Sequence, residues 1–516
     1  MTGVWPLVRL ALRRDRIMIP VWIAAFVGMT VTSVAGTVGL YPDEASRIAA
    51  SAGINDVPSI VALYGRIYDP SSLGALSMIK MDGLGTAFVA ILCLLLVVRH
   101  TRAEEEAGRL ELIGATVVGR HAALTASLIV SVGTSLALGV VTALTLIAAG
   151  LPAAGSFAFG AAWMGAGVAF AGIGALAAQL TRSARAANAI GVTALGVVYL
   201  MRAVGDTRGP EWLSWLSPIG LSQQIRPFAG ERWWVFLILA GVAAVLSAGA
   251  YALHGRRDLG TGLLPDRAGR AQAGALLRGP LGLAWRLHRG SLLGWAAGFF
   301  VLGAVCGSIA QNLGGLATTP QVKALFEAMG GQQGLTNAFI AAELSIGGII
   351  AAAYGVQAAM RLHGEETSLH MESVLATGVS RIRWALSHIV VVSFGCAALL
   401  TALGLGATLT DGRELVGAAL AQLPAALVLV GITVTAFGFL PRFSAFGWAA
   451  LVAFLFIGEL GPLLRLDHWV MDLSPFTHLP KLPGGAVTAT PLVWLSVVAI
   501  GFTAAGLVAL RRRDMA

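Results

Sequence analysis

The stretch TRAEEEAGRLELIGATVVGR, residues 101–120, is a charged passage in a very apolar chain, and its pattern occurs twice. The stretch GEETSLHMESVLATGVSR, residues 364–381, aligns with it without a gap at an offset of 261. We call residues 101–120 the first glutamate segment and residues 361–381 the second glutamate segment. The matched positions are Glu104, Glu105, Glu111, Thr116 and Arg120 in the first segment, and Glu365, Glu366, Glu372, Thr377 and Arg381 in the second.

The composition around these segments is typical of an all-α polytopic membrane protein. Hydrophobic residues make up 57% of the chain and charged residues 12%, against roughly 25% charged in a soluble domain. Apolar runs long enough to form transmembrane helices recur along the chain. They predict twelve spans, near 17–39, 83–98, 121–149, 157–180, 187–205, 233–253, 291–311, 341–360, 384–408, 414–437, 443–461 and 490–510.

The distribution of basic residues predicts the orientation. With the N-terminus inside, 24 of the 35 Lys and Arg residues fall in inner segments, so the positive-inside rule places both termini and both glutamate segments in the cytoplasm. The basic residues lie in short loops between spans, which argues against a nucleic-acid partner. Only three of the 35 are lysine, and together with the many Ala and Gly residues this indicates a GC-rich bacterial genome and hence a bacterial plasma membrane.

Further repeats indicate that the chain is a duplicated unit. The pattern W-x-x-x-L-S-P occurs at 212–218 and 469–475, and R-R-D follows span six at 256–258 and span twelve at 512–514. Each half has an even number of spans, so the halves run parallel as a pseudo-dimer. We predict a first half at 1–253, a cytoplasmic linker at 254–290 and a second half at 291–516.

Short amphipathic helices are expected on the membrane surface before the first span of each half. In the first half, Arg9, Arg13 and Arg16 follow a helical spacing. In the second, the stretch LGLAWRLHRG, residues 281–290, places Arg286 and Arg289 on one side.

No motif in the sequence indicates chemistry by the chain itself. It has no G-x-x-x-x-G-K-[ST] loop and no Cys/His metal spacing, so we predict no catalytic residue, no metal and no cofactor in this chain. Ionisable residues in or beside spans are costly. We expect such residues here to be solvated, paired locally or packed; they are Glu343, Glu459, His388 and the Arg202–Asp206 pair. None has an evident counterpart in the other half, which argues against ion coupling.

The glutamate segments are the strongest functional signal. A solvated loop is the simpler interpretation of either one, but it gives no reason for the same Glu-Glu, Glu, Ala-Thr and Arg spacing in two otherwise diverged halves. We therefore interpret both segments as docking elements for a partner protein.

Taken together, these patterns resemble the membrane subunit of ABC-2 type exporters, in particular the fused twelve-span permeases of actinobacterial polyketide-antibiotic exporters. The resemblance covers the whole chain and rests on the surface helices, the glutamate segments and the W-x-x-x-L-S-P stretches. It implies that the glutamate segments are coupling helices on which two copies of a separate ABC ATP-binding subunit dock, bringing ATP and Mg. It also implies outer re-entrant segments at 207–232 and 462–489, which contain Trp212, Pro218, Trp469 and Pro475.

The resemblance further implies export of amphiphilic or hydrophobic compounds, such as antibiotics and other drugs, along a pathway near spans two, five, eight and eleven. The alternative is an ion-coupled secondary transporter with two six-span repeats. A membrane-bound enzyme would require a polar cluster at one depth. One departure distinguishes the two coupling elements, because Gly108-Arg109 in the first is Leu369-His370 in the second.

Overall fold

The chain folds into long helices. A computed structural model describes residues 2–207, 209–258, 260–264, 272, 274, 277, 279–312, 331–440, 446–460 and 467–513. These residues form α-helices and one π-helical turn, and no β-strand occurs among them. The prediction of an all-α protein is therefore confirmed for the described part of the chain.

Eleven helices in the described residues are long and apolar enough to cross a membrane, by length and composition. Each coincides with one of the predicted spans. The eleventh predicted span has no helix of that length among the described residues, and a shorter apolar helix is found there, at Phe446–Gly458. The residues on either side of it, 441–445 and 461–466, lie outside the described residues. A multi-pass helical membrane protein is thus confirmed, whereas the count of twelve spans stays a prediction.

The chain divides into two compact units, residues 1–268 and 269–516, and the division falls inside the predicted linker. The parallel pseudo-dimer remains a prediction. The helices of the first unit are α1 (Val4–Arg14), α2 (Met18–Leu40), α3 (Glu44–Asn55), α4 (Pro58–Tyr64), α5 (Leu73–Lys80), α6 (Thr86–His100), α7 (Arg102–Glu106), α8 (Arg109–Gly114), α9 (Ala122–Ala148), α10 (Ala153–Leu180), α11 (Ala184–Thr207), α12 (Trp212–Trp215), α13 (Pro218–Gln224) and α14 (Trp234–His254).

The second unit follows a similar order of long and short helices. They are α15 (Pro280–Asn312), α16 (Gly331–Ala359), α17 (Arg361–Thr367), α18 (His370–Leu375), α19 (Arg381–Asp411), α20 (Val416–Leu420), α21 (Leu423–Phe439), α22 (Phe446–Leu460), α23 (His468–Met471) and α24 (Ala489–Arg512).

Local sequence sets several helix starts. A side-chain oxygen that accepts from a free backbone N–H of the first turn stabilises a helix N-terminus. Asp43 caps α3 in this way, Ser72 caps α5, Ser217 caps α13 and Ser380 caps α19. Helices α3 and α4 lie between spans one and two, in a segment for which no helix was predicted.

Helix α10 forms the core of the first unit, where it packs against α6, α9 and α14. Its Phe159, Trp163 and Phe170 are completely buried. In the second unit, α15 packs along α19 and α21 packs along α24, while α16 contacts both α19 and α21. Each unit therefore has a buried helical core of its own.

Span two begins about ten residues earlier than predicted and is not a regular helix. The π-helical turn Met81–Gly85 joins α5 to α6. Its irregular backbone is satisfied locally, since the Trp163 indole donates to the carbonyl of Met81 at 3.1 Å and the Thr86 hydroxyl donates to the carbonyl of Asp82 at 2.7 Å. The correction places Asp82 inside the span.

The expected second surface helix is not a separate element. Helices α1 and α2 are distinct, but α15 runs without a break through residues 281–290 and the seventh span. Proline accounts for the difference: Pro20 has no N–H and its ring conflicts with the carbonyl of residue 16, which favours a kink or break at that junction. Residues 281–312 contain no proline.

We expect close packing of α9 on α10 to depend on glycine. A Cβ atom at Gly139 would lie 2.5 Å from the carbonyl oxygen of Gly160, whereas one at Gly133, in the same helix, would meet nothing within 4 Å. Gly139→Val should therefore destabilise the detergent-solubilised protein by about 1–3 kcal/mol, measured by thermal unfolding.

Gly133→Val is the matched control and should change the stability by less than about 0.5 kcal/mol. Equal unfolding temperatures for the two variants would contradict the packing of α9 on α10.

Candidate functional site

The two glutamate segments have the same local structure in their separate units. In each, a short helix ends, one residue adopts a left-handed conformation, and a second short helix follows. The left-handed residue is Gly108 (φ 71°) in the first segment and Leu369 (φ 60°) in the second. After the second helix, Thr116 and Thr377 each donate the hydroxyl to the carbonyl three residues earlier, at 2.6 Å in both segments.

Glu105 is held in a buried ion pair. Its side chain is 2% exposed and that of Arg257, three residues beyond α14, is 4% exposed. The two Nη atoms of Arg257 donate to the two carboxylate oxygens at 2.6 and 2.8 Å, and the N–H of Gly260 donates to Oε1 at 2.6 Å. Arg102 adds a second positive charge at 3.1 Å. Such a two-pronged, charge-assisted contact is strong and directional.

Glu366, the counterpart of Glu105, pairs with the equivalent arginine in the second unit, but, among the described residues, through one carboxylate oxygen only. Its Oε1 accepts from Nη2 of Arg513, the residue that follows α24. The Glu366 side chain is 9% exposed and that of Arg513 is 16% exposed. In both segments, the second residue of the Glu-Glu pair therefore binds the second arginine of the R-R-D motif.

The arginine that closes each segment contacts the same place. Arg120 donates to the carbonyl of Arg257 at 2.9 Å, and Arg381 donates to the carbonyl of Arg513 at 2.7 Å. Each segment is thus fixed at two points to the end of the last helix of its unit.

Glu104 and Glu365 are less buried and form surface ion pairs. Glu104 accepts from Nε of Arg109 at 2.7 Å and from Arg14 of α1. Glu365 accepts from Nε of Arg361 at 3.2 Å and lies 3.8 Å from Nδ1 of His370.

The exposed faces of the segments carry the remaining matched residues. Glu111 and Thr116 are exposed in the first segment, and Glu372 and Thr377 are exposed in the second. These side chains are accessible to a partner, whereas Glu105 and Glu366 face inward. The role of all ten residues in docking stays a prediction.

A cleft lies beside each segment. The first has a volume of about 420 Å³, and its lining includes the apolar Leu7, Leu110 and Ile113 and the charged Glu105 and Arg257. The second, of about 480 Å³, is lined by Leu375, Val379, Ser380, Arg381, Ile382 and Arg511. These surfaces suit protein or amphiphile contact. Among the described residues, no group of three or more His, Cys, Asp or Glu side chains is placed to hold a metal ion.

The two W-x-x-x-L-S-P stretches also share their exposure. Trp212 in α12 and Trp469 in α23 are 58% and 68% exposed, whereas Pro218 and Pro475 are buried. Exposed tryptophan beside short helices is typical of a membrane–water interface. Their place in re-entrant segments remains a prediction, and residue 208 of the stretch 207–232 and residues 462–466 of the stretch 462–489 lie outside the described residues.

Two of the ionisable sites expected in or beside spans, at His388 and at Arg202–Asp206, are paired or packed. His388 lies 3.1 Å from His288 between ring nitrogens, and both are buried. Arg202 is completely buried and lies 3.5 Å from Asp206, with a further contact to Gln223 at 3.4 Å. The side chain of Glu459 is outside the described residues.

Sequence reasoning overlooked two features. It did not connect the R-R-D motif with the Glu-Glu pairs, although both repeat in the same order. It also overlooked Asp82, which aligns with Glu343 at the offset of the glutamate segments, so the statement that no ionisable residue of the spans repeats was wrong. One oxygen of Asp82 has no hydrogen-bond partner, and Glu343 accepts from Cys306 Sγ at 3.6 Å.

The long apolar helices of the described residues define a multi-pass helical membrane protein. A family model described as "Multidrug efflux system permease Rv1217c, C-terminal domain" matches residues 7–254 and 277–511. The chain is also 42% identical over 526 aligned positions to the multidrug efflux system permease protein Rv1217c of Mycobacterium tuberculosis, covering 100% of this chain and 95% of that protein. The chain therefore belongs to the family of Rv1217c-type multidrug efflux permeases. The prediction of a membrane permease for efflux is confirmed.

We expect Leu369 to be strained, because a left-handed conformation costs a residue with a branched side chain roughly 1–2 kcal/mol. Asparagine tolerates this conformation better. Leu369→Asn should raise the free energy of unfolding by about 0.5–1 kcal/mol, measured by thermal unfolding in detergent.

Leu112→Asn is a suitable control, because Leu112 is also exposed but lies inside α8, where asparagine is the poorer helix former. It should lower the stability slightly. A loss of stability in Leu369→Asn would contradict the strain.

Proposed function

We propose that the chain is the transmembrane subunit of an ATP-driven ABC-2 type exporter that moves amphiphilic or hydrophobic compounds, including antibiotics and other drugs, out of the cell. Two copies of a separate ABC ATP-binding subunit, which carry ATP and Mg, dock on the glutamate segments. Both termini lie in the cytoplasm and the chain spans the bacterial plasma membrane.

One observation carries this proposal. The glutamate segments share a helix, a left-handed residue, a second helix and an inward ion pair, in two units whose spans differ in sequence. Each also presents an acidic residue outward at the same position, Glu111 or Glu372. Each segment is held to its unit by an ion pair and exposes the same acidic position to solvent. Two such equivalent surfaces suit a partner that is itself present as two copies.

The mechanism follows from this arrangement. Closure of the ATP-binding dimer moves the two segments, and each segment carries the helices attached to it. Nucleotide then biases the balance between inward-facing and outward-facing states. The spans contain few charged side chains, which suits an amphiphilic or hydrophobic cargo. The exposed tryptophans at 212 and 469 are proposed to lie at the outer interface.

The second candidate function is ion-coupled secondary transport, and one observation supports it. Asp82 and Glu343 are carboxylates at matched positions of spans two and eight. Ionisable residues within spans are candidates for ion pathways. The two candidates differ in their energy source.

Docking is tested at two matched, solvent-exposed glutamates of the segments, Glu111 and Glu372. The double variant Glu111→Lys and Glu372→Lys should weaken binding of the ATP-binding subunit about tenfold or more. The reversed charge would repel any positively charged group of the subunit that pairs with the glutamate. The measurement is co-purification of the subunit at increasing salt. Glu104 and Glu105 are less suitable, since their replacement also disturbs pairs with Arg109 and Arg257.

The matched control is Glu44→Lys, the same substitution at an exposed position of α3 that we predict to face outward from the cell. Its binding should equal that of the unsubstituted protein. Unchanged binding in the double variant would remove Glu111 and Glu372 from the docking surface.

The energy source is tested in inverted membrane vesicles that contain the chain and the ATP-binding subunit. ATP should drive accumulation of a fluorescent amphiphile when the proton gradient is collapsed, and Asp82→Asn with Glu343→Gln should retain most of it. Accumulation driven by a proton gradient without ATP, and lost in that double variant, would instead establish the secondary transporter.

A further inference from the structure

We infer that Arg257 and Arg513 are positioning residues that join each glutamate segment to the last membrane helix of its own unit, so that segment and helix move as one body. We call the Glu105–Arg257 pair the first clamp and the Glu366–Arg513 pair the second clamp. The inference deepens the proposed function, and it rests on that function only for its consequence in transport.

The chain itself connects each segment to two spans. The first segment follows span two and precedes span three, and the second lies in the same way between spans eight and nine. Without a further link, movement of a segment would reach only those spans directly. The clamps add span six and span twelve, which are distant in sequence.

The first clamp is saturated with hydrogen bonds. Beyond its two contacts to Glu105, Arg257 donates from Nε to the side-chain oxygen of Gln179 at 2.7 Å and from Nη1 to the carbonyl of Thr261 at 3.0 Å. His254, at the end of α14, contacts the same Gln179 oxygen at 3.0 Å. A fully satisfied buried polar network holds one geometry, because every alternative leaves charged groups unpaired.

The second clamp makes the same connection with other neighbours but is less completely hydrogen-bonded, since Glu366 Oε2 and Arg513 Nε have no hydrogen-bond partner among the described residues. Arg513 donates from Nη1 to the carbonyl of Phe437 at 3.1 Å, and its guanidinium lies 5.2 Å from the centre of the Phe437 ring. Arg381 binds the backbone of Arg513. Two independent sets of contacts therefore produce the same connection.

The neighbouring arginines show that the contact is specific to one position. Arg256 and Arg512, the first arginines of the two R-R-D motifs, are exposed. A cluster of positive charge that served only membrane orientation would place no requirement on which arginine is buried. The second arginine is the less exposed one in both units: Arg257 is buried, and the Arg513 side chain is 16% exposed.

The clamps are tested first without reference to transport, by hydrogen–deuterium exchange of the purified full chain. Arg257→Gln should accelerate exchange of backbone amides in residues 102–114 about tenfold or more and leave residues 361–375 unchanged, because breaking a buried ion pair strongly destabilises its surroundings. Arg513→Gln should give the reciprocal pattern.

The matched controls are Arg256→Gln and Arg512→Gln, which remove the same charge from the same tail and should exchange as the unsubstituted protein does. If Arg257→Gln fails to fold, Arg257→Lys serves as the test variant, since it retains the charge but loses the two-pronged contact. It should still accelerate exchange several-fold. Exchange in the first segment that stays unchanged in the folded variants overturns the inference.

The second measurement is the ratio of cargo exported to ATP hydrolysed, with the ATP-binding subunit present. With the ATP-binding subunit at a concentration that saturates its binding, Arg257→Gln and Arg513→Gln should still hydrolyse ATP but lower the ratio about tenfold, and the lysine variants should recover part of it. An unchanged ratio, or a loss fully explained by weaker binding of the subunit, overturns the inference.

The two levels of the argument fail separately. If the unsubstituted protein exports nothing with ATP, the proposed function is wrong, while the exchange pattern still decides whether the clamps join segment and helix. If ATP drives export but the exchange and the ratio do not change, the proposed function stands and the clamps are rejected.

Discussion

A carboxylate that folding buries beside membrane helices needs a positive partner, because an isolated buried charge is strongly unfavourable. In this chain the partner of Glu105 is Arg257, about 150 residues further along, and the partner of Glu366 is Arg513. This requirement fixes where each glutamate segment lies against its unit. The outward face, the cleft and the left-handed turn all depend on the segment being held there.

The spans were predictable because hydropathy and length are properties of short stretches of sequence. What sequence reasoning missed depends on local backbone geometry or on distant contacts. Span two was expected to begin at residue 83, but the π-helical turn lets it begin at Leu73, with Trp163 satisfying a carbonyl. The unbroken α15 could have been anticipated, because residues 281–312 lack the proline that interrupts the first unit.

The candidate site was predictable in position but not in orientation. An ungapped alignment identifies Glu104-Glu105 and Glu365-Glu366 as matched pairs. It cannot say which glutamate of a pair turns inward, because that depends on an arginine brought close only by folding. The structure separates the two: the first glutamate of each pair forms a surface contact, and the second belongs to a buried clamp.

The two units keep the same connections while changing the residues that make them. Arg14 of α1 reaches Glu104 of the first segment, whereas Arg361 of the second segment reaches back to the carbonyl of Leu287 in α15 at 3.1 Å. The direction of the contact is reversed, yet segment and preceding helix are joined in both units. Because different residues make this contact in the two units, the shared feature is the connection between segment and preceding helix and not any one side chain. The left-handed residue is another example. The second segment keeps the left-handed conformation at Leu369, although it is strained there and is not strained at Gly108 of the first segment.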